Sequence, residues 1–196
     1  EGFNPHLKFS LASALGVGVV SYTEFVEIEL AEPMEVEKAA LALDAALPRG
    51  IRVLAADAVD THHAALMSQA AGASYRITLP YSKDVSAAVA EFNAAPELLF
   101  KKAAPKTKAK FKEIDVKFYI PQLTAEQTET ETIFSFDCKI TPTGSMKAVD
   151  LLNALNEQYG LALPVEMADI ERLRLYRNNK NGKPIPMLNS DAVTLG

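Results

Sequence analysis

The ten residues TIFSFDCKIT at Thr132–Thr141 constrain the fold more than any other stretch. Phe134, Phe136, Cys138 and Ile140 fall on one side of an extended chain, and Ile133, Ser135, Asp137 and Lys139 on the other. Such alternation of β-favouring residues predicts a strand with one buried and one wet face. The segments from 73 to 176 can be laid out around it. A strand is predicted over 74–79, with Tyr75, Ile77 and Leu79 inward, then a helix over 84–94 with Val85, Ala88, Val89 and Phe92 on one stripe. Strands follow over 98–102 and 112–120, the latter with Ile114, Val116, Phe118 and Ile120 inward, and the polar segment 122–131 reads as a loop. Ser145 is the expected N-cap of a helix that buries Val149, Leu152, Leu155 and Tyr159 and ends at Gly160, a left-handed cap. The last strand is 171–176, and 178–196, with Asn181-Gly182 and two prolines, reads as tail.

The N-terminal part reads strand, strand, helix, strand: 9–14, 20–30, 35–47 and 51–56. Val20, Tyr22, Val26, Ile28 and Leu30 share a face of the second strand, which Phe25 breaks by joining the polar side. The expectation is an α+β protein of two ferredoxin-like, split βαβ units, the first lacking its opening strand and helix. The expected domains are 1–58, a linker 59–72, a complete unit 73–177, and a tail 178–196. A chain that opens at Glu1 inside a turn reads as cut from a longer one. Self-association through the truncated first sheet is therefore expected.

The net charge of −5 excludes a generic polyanion binder, so any nucleic-acid site has to be a local patch. One cysteine, Cys138, excludes an intramolecular disulfide and a multi-cysteine metal site. No apolar run approaches the roughly 20 residues that span a bilayer, and no secretory signal precedes the first strand, so no membrane partner and a cytoplasmic location are expected.

Three groups of residues could carry function. The open face of the second sheet is expected to show Arg76, Thr78, Asp115, Lys117, Tyr119, Ser135, Asp137, Lys139, Arg172, Arg174 and Tyr176. Such a face can bind RNA through stacked aromatics and cations, or be a set of solvated cross-strand ion pairs. Seven lysines, Lys101, Lys102, Lys106, Lys108, Lys110, Lys112 and Lys117, crowd one segment opposed only by Glu113 and Asp115. They could contact phosphates or guard a sheet edge. Asn4, His6 and Lys8 share an N-terminal turn around Pro5 and are candidate ligand-binding residues. His6, His62 and His63 make a poor metal set, and no phosphate loop, catalytic triad or redox motif is present, so no cofactor and no catalytic residue is assigned.

GFNPH, LKFSLASALGVGV, YTEFVEIELAEP and LPRGIRVLAA, with SYRITLP and EIDVKFYI further on, resemble the radical-SAM-linked proteins, a bacterial domain of unknown function. Gly2, Phe3, Asn4, Pro5, His6 and Lys8 match the family's opening motif, and Leu7 departs from its usual proline. The resemblance implies association with a radical SAM protein as partner. This chain has no CxxxCxxC motif to hold such an enzyme's cluster. The expected function is an accessory or substrate-binding module for a radical SAM enzyme, with RNA as a candidate substrate. The alternatives are a small hydrolase or transferase using Asn4, His6 and Lys8, and a purely structural protein-interaction module.

Overall fold

The computed structural model describes residues 9–60, 62–104 and 109–195. In chain order the elements are β1 (Phe9–Leu11), β2 (Val19–Ser21), β3 (Val26–Ile28), α1 (Val36–Ala46), β4 (Ala55–Ala56), α2 (Leu66–Gln69), β5 (Gly72–Leu79), α3 (Ser86–Ala94), β6 (Leu99–Ala103), β7 (Phe111–Asp115), α4 (Val116–Tyr119), β8 (Leu123–Gln127), β9 (Thr132–Thr141), β10 (Gly144–Ser145), α5 (Ala148–Tyr159), β11 (Asp169–Asn178), β12 (Pro184–Pro186) and β13 (Val193–Thr194). A 3-10 turn at Val165–Met167 precedes β11.

The protein is α+β. The main sheet runs β10-β9-β5-β11-β12, with β8 also paired to β9 and β2 to β11. Along β8-β9-β5-β11 every pairing is antiparallel. The β5–β9 register sets Ile77 opposite Phe134, Tyr75 opposite Phe136 and Ala73 opposite Cys138. Since side chains alternate along a strand, these form one apolar face. Phe92 of α3 and Leu151, Leu152 and Leu155 of α5 pack against it in one core with Ile77, Leu79, Val116, Ile120 and Leu123. Each fully buried Leu, Ile or Phe contributes about 1.5–3 kcal/mol, so this layer dominates stability. Helix α5 ends as expected at Gly160, with φ of 64°, a conformation glycine adopts without steric cost.

Several local expectations are corrected. Strand 112–120 stops at Asp115, because its Oδ1 accepts from the Leu98 and Lys117 backbone N–H groups at 3.1 and 3.0 Å and starts α4. The polar stretch after Pro121 is not only loop: β8 pairs with β9 from Leu123 to Gln127. Ser145 lies in β10, and Lys147 occupies the N-cap of α5. Residues 20–30 divide into β2, which joins β11 in parallel, and β3, which pairs with β1. Phe25 packs with Ala12, Ala73, Leu175 and Met187 in a second cluster, which accounts for its place on the polar side of the pattern. The segment read as tail supplies β12 and β13, which pair with β11 and β4.

Candidate functional site

The sheet face away from the helices is organised in rows across β11, β5 and β9. In one row the Arg174 Nε donates to Ser74 Oγ at 2.8 Å, and Ser74 donates to Asp137. In the next, Arg76 pairs with Glu171 at 3.5 Å, and the Tyr22 hydroxyl donates to Glu171 at 2.6 Å. That hydrogen bond, to a carboxylate, raises the Tyr22 pKa. Both rows neutralise their own charge.

Of the two other rows, Asp169, Thr78 and Ile133 carry a carboxylate, while Tyr176, Gly72 and Lys139 carry a cation. The Tyr176 ring lies flat over Gly72, where a Cβ would come 2.2 Å from the hydroxyl oxygen. Burial, then the Asp137 charge, raises the Tyr176 pKa, and Arg174 stacks over its ring at 5.6 Å. Lys139 has no carboxylate partner among the described residues. Its Nζ sits 5.1 Å from the Phe118 ring centroid. Beside this row a cleft of about 340 Å³ is lined by Lys139, Thr141, Tyr176, Asn178, Gly182 and Pro184 among others. The wall formed by β12 depends on the turn at Gly182, whose φ is 74°. A cation without an internal counter-charge beside a tyrosine hydroxyl and an amide is suited to an anionic group.

The expected site residues do not all meet there. Arg76, Arg174 and Tyr176 are on the open face. Arg172 is not: it is 1% exposed. The register slips between Arg172 and Arg174, so Arg172 pairs with Tyr75 and turns to the apolar side. Its guanidinium donates to Glu24 at 2.8 and 2.5 Å and to the Ser13 and Ala14 carbonyls at 3.2 and 3.3 Å. It clamps the β1–β3 segment to the sheet. Lys117 and Tyr119 are on α4, where Lys117 donates to the Pro121 carbonyl at 2.6 Å and sits 4.6 Å from the Phe92 ring centroid. Burial lowers the Lys117 pKa. Lys110 is in the β6–β7 turn with φ of 59°. Lys102 bonds Asp150, in the first turn of α5, at 2.5 Å, which ties the hairpin to the helix layer. Asn4, His6, Lys8, Lys106 and Lys108 lie outside the described residues.

Alternation placed Lys139 on the open face but gave no sign of its cleft, which needs the return of β12. The turn signal Asn181-Gly182 marked that return. Among the described residues, no group of three or more His, Cys, Asp or Glu converges as a metal site. No helix among them is long and apolar enough to cross a membrane.

A family described as an uncharacterised protein conserved in bacteria, DUF2344, matches residues 1–150. The chain belongs to this family. Within this DUF2344 member the match runs from the N-terminus to the first turn of α5. It includes Lys139 and Thr141 of the cleft, while Tyr176, Asn178, Gly182 and Pro184 fall beyond it. No curated protein matches the chain.

Proposed function

We propose that this DUF2344 member is an accessory, substrate-binding module acting beside a radical SAM enzyme, and that the chemistry belongs to that enzyme. The observation that carries the reading is Lys139 on the open sheet face, a cation with no carboxylate partner among the described residues, beside the cleft. The motifs GFNPH to LPRGIRVLAA support the radical SAM association. The antiparallel order β8-β9-β5-β11, with α3 and α5 on one face, supports reading 73–177 as a split βαβ unit. The test is co-purification from a bacterial host, analysed for protein and for RNA. A partner carrying a CxxxCxxC cluster motif is expected, retained less by Lys139→Glu. Recovery of no such partner, or turnover by the isolated chain, overturns the reading. RNA in the complex would make RNA the substrate class. In that case binding across a salt series should weaken when Lys106, Lys108 and Lys110 are changed to Ser, with a slope of roughly −0.7 per phosphate contact.

A further inference from the structure

Three strands of the main sheet end unevenly beside Lys139. Strand β5 begins at Gly72, which pairs with Lys139 of β9 on one side and Tyr176 of β11 on the other. Both outer strands run two residues further, β9 to Thr141 and β11 to Asn178. Ala71 still bridges them: its N–H donates to the Tyr176 carbonyl and its carbonyl accepts from the Ile140 N–H, each at 2.9 Å. Ala70 then leaves for the opposite face, where it packs with Ala73, Leu175 and Met187. A notch therefore opens in the sheet. It is two strand spacings wide, about 9–10 Å, and two residues deep, about 7 Å. This notch is the cleft of about 340 Å³, and Ala71 closes its inner end.

The polar groups of the notch are unmatched inside the molecule. Side chains alternate along a strand, so Lys139 and Thr141 of β9 and Tyr176 and Asn178 of β11 share the open face. Tyr176 is only 9% exposed, yet its hydroxyl has no hydrogen-bond partner among the described residues. A buried tyrosine hydroxyl ordinarily finds one. No fully enclosed side-chain N or O lacks a partner among those residues, so this hydroxyl touches water, where Tyr176 lines the cleft. It lies over Gly72, between Tyr176 and Lys139 in the row, because glycine leaves that place empty. The Asn178 side-chain amide has no partner among the described residues either. Lys139 is the charged residue lining the cleft. Phe118 meets its ammonium but supplies no counter-charge. Asp137, one row away, is engaged by Ser74, which also holds Arg174. Lys180 and Lys183 of the neighbouring turn are exposed and do not line the notch.

One ammonium with two neutral hydrogen-bonding groups balances one negative charge. A blind notch with one lysine admits the end of a molecule rather than a polynucleotide track, which needs a cation at successive phosphates. Resting on the reading of this chain as a substrate-binding module, we propose that the notch takes a small monocarboxylate end-on, its carboxylate held by the Lys139 ammonium, the Tyr176 hydroxyl and the Asn178 amide.

The experiment is an amide NMR titration of the full, isolated chain with butyrate, butyramide and inorganic phosphate at constant ionic strength, with circular dichroism to check each variant's fold. Butyrate should give saturating shifts at Gly72, Lys139, Thr141 and Asn178 with a Kd in roughly the millimolar range. Butyramide, similar in shape but uncharged, should not. Lys139→Gln should weaken butyrate binding at least about tenfold, and Tyr176→Phe, which keeps the ring over Gly72, about three- to tenfold. Lys183→Gln should leave it unchanged. No saturation by butyrate, an equal response to butyramide, or a Tyr176→Phe variant that binds like the parent overturns the proposal. So does an equal loss in Lys183→Gln, or tighter binding of phosphate or of single-stranded RNA at the same amides. A cluster-bearing partner that co-purifies with a chain unable to bind butyrate sinks the carboxylate and leaves the module reading standing; butyrate binding with no such partner does the reverse.

Discussion

Changing Glu24 to Gln tests how the N-terminal segment is held. Arg172 is 1% exposed, and its guanidinium has two charge-assisted bonds to Glu24 and two to backbone carbonyls. The substitution keeps the shape and removes the counter-charge. Breaking a fully buried ion pair costs about 3–5 kcal/mol, because the remaining charge is desolvated and unmatched. The Glu24 side chain is 30% exposed, so water replaces part of what is lost. A loss of about 2–3 kcal/mol follows, which for a chain of this size lowers Tm by roughly 5–10 °C. Thermal unfolding measures it, and amide exchange should show β2 opening before β5 and β9. Combining Glu24→Gln with Arg172→Met should cost less than the two single changes added together, because a matched apolar replacement leaves no orphaned charge. A Tm change below about 1 °C, or strict additivity of the two substitutions, would refute the clamp.

Gly72→Ala should push Tyr176 off its seat, since the new Cβ would meet the hydroxyl oxygen at 2.2 Å and Cζ at 2.4 Å; the expected cost is about 1–3 kcal/mol by chemical denaturation, largely relieved when Tyr176→Ser is added. Burial pushes the Cys138 thiol up to about 11, so iodoacetamide at pH 8 should label it only after unfolding. Because the folded pKa is raised, the associated stability is complete below the unfolded value of about 8.5 and is lost as pH rises toward about 11; a Cys138→Ala variant should lack that alkaline component. The hydrogen bond from Arg52, then that from the Val53 N–H, lowers the Asp44 pKa. Its contribution is present above the unfolded value of about 3.9 and falls away as pH drops through the lower folded value; an NMR titration should show the midpoint rising in Arg52→Ala.

Hairpin contacts explain most of what the alternation and helical stripes could not reveal about the site. Lysines at 101–117 looked like one basic stripe, yet Lys102 is held by Asp150 and Lys117 by Pro121 and the Phe92 ring. Nothing local to the segment announces those partners, because both come from helices elsewhere in the chain or from a turn that a capping aspartate creates. The cleft was half legible: Lys139 and Tyr176 follow from alternation, while its far wall depends on β12, whose prolines and short length give no strand period.

By itself the sequence determined the elements whose side chains repeat with their own backbone period: β5 and β9 by twos, α3 and α5 by the helical stripe, and the stop at Gly160. Period is a local property, and burying one face of each is enough to define the α+β layer. Tertiary structure alone decided where those periods break. A one-residue slip at Leu173 turned Arg172 from the open face to the core, and only the carboxylate and carbonyls delivered there by the N-terminal segment made that position tolerable for a charge. The same long-range pairing sent β2 to β11 and left the β1–β3 ribbon with its apolar side outward, because a strand's partner is chosen by the whole fold and not by its own pattern.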